Sequence, residues 1–240
     1  KLTGNHSLFV LTKEGIKAAK VDSLREGDWT VFPLNIPENP VIKEINLAVE
    51  LAKTVYGKGF VIDNVPLNTF KYKKREICGF LKEEYKWPRQ SFYQFRKKRI
   101  LPLRLNYLLS RKELLNTRIK STSKVKVKPI LKVDKNLMRF LGLYIAEGWL
   151  TSTKAHHRVG FCLNVKETNL VEDLRKTARE CFGVGVYVQE VKNNAVKVNI
   201  QSYVLWAALK EVIQLSRGAK NKRVPEIVFN VNKDLQQEFL

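Results

Sequence analysis

The sequence predicts a multidomain protein in which a small β-rich element, a basic helical segment and an α/β unit follow one another. Residues 1–34 alternate apolar and polar side chains between glycine-containing turns, as strands do. Positive charge is concentrated in residues 71–128, which hold 19 basic and 4 acidic side chains. From Asp134 onward, helical and strand patterns follow in the order α-β-β-α-β-β-α. We therefore expect three segments, 1–40, 41–130 and 131–240.

The composition excludes several classes of protein. Of the 240 residues 44% are hydrophobic, which is enough to bury a core. No apolar run is as long as a membrane span and no signal-like leader opens the sequence, so we expect a cytoplasmic protein without a membrane partner. Cys78, Cys162 and Cys181 are odd in number and scattered, which favours reduced thiols over disulfides or a metal site.

The first segment has the pattern of a small antiparallel β-element. Strands are predicted over residues 7–12, 16–21 and 29–33, with glycine turns between them. Three prolines, at 33, 37 and 40, mark a linker. Helical spacing of apolar residues follows over residues 41–56.

The basic segment holds most of the excess charge, +15 of the net +21. Such a concentration is the electrostatic footprint of a polyanionic partner, first of all nucleic acid. Adaptation to heat or salt is the alternative, but it usually enriches both signs of charge. A helix is predicted over residues 73–85, a break at Trp87-Pro88, and a second helix over residues 89–98. Residues 118–128 are expected to form a basic connector.

The two helices resemble a helix-turn-helix, with basic and amide side chains crowded on the second helix. A solvated basic face is the other interpretation of the same charges. The candidate DNA-contacting residues here are Arg89, Gln90, Gln94, Arg96, Lys97, Lys98 and Arg99.

The α/β unit is predicted to start with a helix over residues 135–147, capped by Asp134 and stopped by Gly148. Strands near 149–153 and over 157–164, a helix over 168–181, strands near 184–191 and 196–201, and a helix over 203–215 complete the predicted order. In the first helix, Gly142 and Ala146 form a face of small side chains that lets another helix approach closely. Glu147, at its C-terminal end, opposes the helix dipole, which suggests a cation or donor nearby; a solvated glutamate is the alternative.

Residues 140–148, FLGLYIAEG, resemble the LAGLIDADG motif of homing endonucleases, with Glu147 in the penultimate acidic position. The resemblance implies two motif helices packed along their small residues, with terminal carboxylates that share divalent metal ions at the scissile phosphates. It makes Glu147 a ligand of Mg²⁺, a cation that prefers oxygen ligands. It also implies a saddle of β-strands in the major groove of double-stranded DNA. The candidate readout residues of the saddle are Arg158, Asn164, Lys166, Lys192, Lys197, Asn199 and Gln201.

Residues 222–225, Lys-Arg-Val-Pro, resemble the Lys-x-(Ile/Val)-Pro segment that precedes the second motif in intein endonucleases. The resemblance places Lys222 near the scissile phosphate, where a cation stabilises developing charge. A basic loop that only holds the backbone is the alternative. Phe239 and Leu240 resemble the first two positions of a second motif, whose carboxylate we expect beyond residue 240.

The N-terminal element resembles the Hint splicing fold of archaeal-type inteins. Residues 3–6 match its TxxH block, and residues 21–28 match its V-x-x-L-x-x-G-D stretch. The resemblance implies that Thr3 and His6 assist the first acyl shift of protein splicing. A splicing nucleophile and a terminal His-Asn pair are missing, so we expect that this stretch does not splice alone and that exteins of a host protein flank it.

The sequence therefore favours an intein-encoded homing endonuclease that makes a Mg²⁺-dependent double-strand cut at a long DNA site. The complete protein is expected to be a monomer with two pseudo-symmetric halves. A non-cleaving LAGLIDADG relative, acting as a DNA-binding regulator or RNA maturase, is the alternative. The residue at the acidic position of the second motif discriminates between them.

Overall fold

The period-2 pattern of the first residues forms a β-hairpin. In the computed structural model, β1 (Ser7–Thr12) pairs antiparallel with β2 (Gly15–Lys20). Gly15 closes the turn with a φ of +108°, a conformation that few other residues adopt. Of the predicted strand 29–33, residues 32 and 33 lie outside the described residues. Residues 29–31 pair with β1 through a bridge between Val10 and Thr30 and the two backbone hydrogen bonds beside it.

The structure describes residues 7–31, 41–88, 90–122, 125–153, 156–191, 194–216, 218 and 221–240. The chain divides into two units, Lys1–Pro37 and Glu38–Leu240. Within the described ranges, each helix is too short or too polar to cross a lipid bilayer.

The second unit begins with β3 (Glu44–Asn46) and α1 (Leu47–Lys53). The predicted helix 41–56 is therefore wrong at its start. The Asn46 side chain accepts a hydrogen bond from the Val49 amide at 3.2 Å, which caps the helix at this residue. Residues 44–46 pair instead with a distant strand, a contact that local spacing does not reveal.

The basic segment contains strands as well as helices. The strands are β4 (Val61–Asp63), β5 (Ile100–Pro102), β6 (Arg118–Lys120) and β7 (Lys126–Val127), and they form one sheet in the order β5-β4-β6-β7. The helices are α2 (Leu67–Tyr72), α3 (Lys74–Tyr85), α4 (Gln90–Lys98) and α5 (Arg111–Leu115). The prediction of a helical segment with a basic connector over 118–128 is thus wrong in part. Strands of two or three residues are too short to show a period of two.

The remaining elements build a mixed α/β layer. They are β8 (Ile130–Lys132), which pairs with β3, then α6 (Lys135–Glu147), β9 (Gly148–Ser152), β10 (His157–Asn164), α7 (Thr168–Thr177), β11 (Tyr187–Val191), β12 (Ala195–Gln201), α8 (Tyr203–Ala207) and α9 (Lys233–Phe239). Both α7 and α8 continue into a π-helical turn, Ala178–Phe182 and Ala208–Val212. The strand predicted from residue 184 begins at Tyr187, and the helix predicted to residue 215 ends near residue 212.

Strands β9 to β12 form one antiparallel sheet in the order β11-β12-β10-β9. Its inner face is apolar and buried, with Val159, Phe161 and Leu163 on β10 and alternate residues of β12. Helices α6 and α8 pack against this face, which leaves the opposite face of the sheet open. This outer face carries polar and charged side chains of β10 and β12 together with aromatic residues of β9 and β11.

Candidate active site

The C-terminal end of α6 brings together the two residues that the sequence singled out. Glu147 is the last residue of α6 and its side chain is exposed. The Lys222 ammonium donates hydrogen bonds to the carbonyl oxygens of Ile145 at 2.8 Å and Ala146 at 3.2 Å. A cation here offsets the negative end of the helix dipole, which makes the carboxylate of Glu147 less costly at this position.

The Lys222 side chain is half-buried, and its surroundings shift its acidity. Burial lowers the pKa of Lys222, and the nearby charge of Glu147 opposes this shift. The ammonium also lies 5.8 Å from the centre of the Tyr144 ring. The Tyr144 hydroxyl donates to the Ser216 carbonyl at 3.0 Å, which fixes the ring beneath the lysine.

A cavity of about 600 Å³ adjoins Lys222. Its apolar lining residues are Val224, Pro225 and Phe229. Its polar and charged lining residues are Gln214, Ser216, Asn221, Lys222, Arg223 and Glu226. The cavity reaches the α6 end only through Lys222, since its described lining includes no residue of α6.

The small-residue face of α6 packs against another helix, α9. A Cβ atom built on Gly142 would lie 2.1 Å from the backbone carbonyl oxygen of Phe239, the last residue of α9. Only glycine allows this approach at position 142. Ala146, one turn further, is exposed at the same end of α6 as Glu147.

The metal ligand expected at this end of α6 is an oxygen donor, the Glu147 carboxylate. In the described part of the chain, no three His, Cys, Asp or Glu side chains cluster as they would around a metal ion. Glu147 therefore belongs to no such cluster among the described residues. Mg²⁺ commonly uses one or two carboxylates, keeps several waters and takes further oxygens from substrate phosphates, so one exposed glutamate is compatible with it.

The outer face of the four-stranded sheet collects most of the predicted readout residues. Arg158 lies opposite Gln201 in the register of β10 and β12, and Asn199 and Lys197 follow at alternate positions. Asn164 is on the same face at the end of β10, where its side chain accepts from the Lys166 amide at 3.0 Å in the following turn. Lys166 is therefore exposed beside the sheet and not on it. Lys192 lies outside the described residues.

Sequence reasoning missed three side chains on this outer face. Trp149 of β9 lies across Gly160, since a Cβ on Gly160 would be 2.4 Å from the indole ring. Tyr187 and Gln189 of β11 stand opposite Asn199 and Lys197, and both are exposed. The alternation of each strand could have placed them, once the strand boundaries were known. The face thus combines two cations, several amides and two aromatic rings.

Helices α3 and α4 form the pair that resembled a helix-turn-helix. Lys86, the residue after α3, has a φ of +56° and caps the helix. The Trp87 amide then donates to the Leu81 carbonyl at 3.1 Å. On α4, Phe92 and Phe95 are buried. The predicted contact residues of α4 are exposed, namely Gln90, Gln94, Arg96, Lys97 and Lys98. Arg99 follows the helix. Arg89, Thr3 and His6 lie outside the described residues.

Comparison with known proteins gives similarity to parts of longer chains. No family model matches the chain. An uncharacterised protein of Methanocaldococcus jannaschii is 26% identical over 248 residues, covering 100% of this chain and 27% of that protein. The DNA polymerase II large subunit of Thermococcus kodakarensis is 26% identical over 245 residues, covering 99% of this chain and 13% of the subunit. A DNA polymerase of Thermococcus aggregans is 26% identical over 296 residues, with 100% of this chain and 16% of that protein covered. The chain therefore spans only a minor part of these relatives.

Proposed function

We propose that the chain is part of an intein and carries one half of a LAGLIDADG-type homing endonuclease, which cuts double-stranded DNA with Mg²⁺. One observation carries this proposal. The exposed carboxylate of Glu147 ends a helix that packs through Gly142 against a second helix, and Lys222 lies at the same helix end. A helix pair of this kind holds a carboxylate and a cation in a fixed place, as phosphodiester cleavage requires.

The relatives support the intein part of the proposal. A similar stretch, 26% identical, forms a minor part of a polymerase subunit, a DNA polymerase and an uncharacterised protein. A segment of this kind fits an inserted element better than a domain tied to one activity. On this proposal, residues 1–37 belong to the splicing domain, where Thr3 and His6 keep their expected roles and the host protein supplies the exteins.

The outer face of the β9–β12 sheet suits duplex DNA. A twisted antiparallel sheet fits the major groove, where base edges differ in their donors and acceptors. Arginine pairs with guanine, and asparagine and glutamine pair with adenine, so Arg158, Asn199 and Gln201 supply the side chains that direct readout uses. The Arg158 Nε atom is buried and has no hydrogen-bond partner among the described residues.

Each residue at the end of α6 has a distinct task. Glu147 would hold Mg²⁺, which supplies an activated water and neutralises charge on the leaving oxygen. Lys222 presents a positive charge beside that position and stabilises the charge that builds on the scissile phosphate. Its hydrogen bonds to the last carbonyls of α6 keep the ammonium in place before DNA binds.

A DNA-binding protein without cleavage is the second candidate. The exposed amide and basic side chains of α4, with the α3–α4 break before them, would serve a regulator or an RNA maturase equally well. The retention of both Glu147 and Lys222 at one helix end favours cleavage over binding alone.

The test uses the full-length protein and a duplex that spans the host gene without this segment. Glu147→Gln is expected to lower the cleavage rate by about a hundredfold or more while DNA binding is kept. Glu172→Gln is the matched control, because Glu172 is an exposed acid of α7 that pairs with Arg175 outside this cavity. Undiminished cleavage by Glu147→Gln would refute the metal-binding role. A wild-type protein that binds but never cuts would favour the regulator.

A further inference from the structure

A second cavity, of about 410 Å³, lies where α4 ends. All of its described lining residues are polar or charged: Asp63, Asn64, Lys98, Arg99, Asn116, Arg118 and Lys126. Four cations therefore surround a space with one carboxylate. This composition suits an anion, and it offers neither an aromatic ring nor an aliphatic wall for a base or an acyl group.

Both arginines of the cavity are held by the backbone. Arg99 has a φ of +52°. Its amide donates to the Arg96 carbonyl at 3.1 Å, and its carbonyl accepts from the Val65 amide at 2.9 Å. Its Nε atom donates to the Val65 carbonyl at 3.1 Å. Arg118 donates from Nη1 to the Thr117 carbonyl at 2.7 Å. Each guanidinium is thus fixed through one nitrogen and keeps further N–H groups for a ligand, which is the preorganised fork that binds phosphate.

The single acid of the cavity is already neutralised. Asp63 is buried, and its two carboxylate oxygens each lie 2.6 Å from a lysine ammonium, Lys120 on one side and Lys126 on the other. Burial raises the pKa of Asp63, but the hydrogen bonds from these lysines outweigh it and hold the pKa below its ordinary value. Asp63 therefore stays ionised and anchors Lys126 at the cavity, where the net charge remains positive.

The position of the cavity connects it to DNA. Lys98 is the last residue of α4, so the cavity follows directly after the helix whose exposed face carries Gln90, Gln94 and Lys97. Contacts to phosphates fix the register of such a helix on a duplex, and base contacts then specify the sequence.

We propose that this cavity binds a phosphodiester group of the DNA backbone and so positions α4 on the duplex. The inference rests on the proposed function for the identity of the polymer. It adds Arg118 and Lys126 to the DNA-contacting surface, places the already expected Arg99 beside them, and treats strands β4 to β7 as the scaffold that holds the cavity. Since these strands share one sheet, point variants test the cavity better than removal of the segment does.

The experiment measures binding of the full chain to a labelled duplex of about 30 base pairs by fluorescence anisotropy, without divalent metal and over a range of salt. Arg99→Gln combined with Arg118→Gln is expected to weaken binding about tenfold or more at ~100 mM salt and to reduce the salt slope by about one. Arg104→Gln combined with Arg111→Gln is the matched control. It removes the same charge from the same segment, but those arginines pair with Glu84 and Glu44 outside the cavity.

A second variant guards against loss of folding. Lys98→Gln changes an exposed side chain of the same cavity, and its loss of affinity is expected to be severalfold with an unchanged circular dichroism spectrum. Equal losses in the cavity pair and the control pair, or an unchanged salt slope, would overturn the inference. Tighter binding to an RNA duplex of the same sequence would overturn the assignment to DNA. None of these results depends on cleavage, so a failure of the Glu147 experiment would count against the endonuclease alone.

Discussion

Gly142→Ala tests the close contact between α6 and α9 with one added methyl group. A Cβ at this position would lie 2.1 Å from the Phe239 carbonyl oxygen and 3.0 Å from its carbon, whereas real Cβ contacts below 3.0 Å are essentially never seen. The obstacle is helix backbone and cannot swing away, so α9 must withdraw by about 1 Å. Overpacking costs about 1–3 kcal/mol, and a rigid obstacle places the cost near the upper end. The gain in helix propensity from glycine to alanine is about 1 kcal/mol.

The net expectation is a loss of about 2 kcal/mol, which lowers the melting temperature by about 4–8 °C in a chain of this size. Gly79→Ala is the matched control, because Gly79 is inside α3 and a Cβ there meets no atom within 4 Å. It should be stabilising by about 1 kcal/mol. Thermal unfolding followed by circular dichroism measures both variants.

The opposite signs make the comparison decisive. If Gly142→Ala is as stable as the wild type, or gains stability as Gly79→Ala does, α9 does not pack against α6 at Gly142. The proposed pairing of motif helices would then lose its structural support.

Three further predictions concern other parts of the chain. Trp149→Ala should weaken duplex binding about fivefold or more in anisotropy measurements, because an apolar contact in the major groove is lost, and equal affinity would remove the indole from the interface. Because the folded pKa of Asp63 is lowered, its carboxylate stabilises the fold above its ordinary value of 3.8, and this contribution disappears as the pH falls through the folded pKa. Asp63→Asn should therefore lower the free energy of unfolding at neutral pH, with a difference that vanishes in acid; a pH-independent difference would contradict the ion pairs. Burial raises the pKa of the Cys181 thiol to about 12, so iodoacetamide should alkylate exposed Cys162 and spare Cys181 in the native protein, as mass spectrometry would show.

The helix α6 shows how far local signals reach. Asp134 accepts a hydrogen bond from the Leu137 amide at 3.1 Å, and Gly148 follows the last helical residue, so both ends of the predicted helix agree with the structure. Strand β10 was equally clear, because eight alternating residues give a strong period of two. Caps, turns and long periodic runs depend on residues that are neighbours in sequence, so the sequence alone predicts them.

The short strands of the basic segment show where local signals end. Each of β4 to β7 has two or three residues, and β4 lies between strands that come about forty and sixty residues later. Such strands exist because distant partners supply their hydrogen bonds, a cause that no window of neighbouring residues contains. The cavity of Arg99 and Arg118 depends on the same pairings, and the sequence alone indicated only the charge.

The sequence by itself determined the types of side chain available: a small-faced helix that ends in a carboxylate, a lysine in a proline-containing loop, alternating strands and a concentrated positive charge. The tertiary structure alone decided which of them meet. Lys222 donates a hydrogen bond to the Ile145 carbonyl near the end of α6, although the two residues are 77 positions apart in the chain. Helix α9, which includes Phe239, packs against Gly142. The chemistry of a side chain is set by its own residue type. Which side chains lie close together follows from the burial of apolar faces that are distant in sequence.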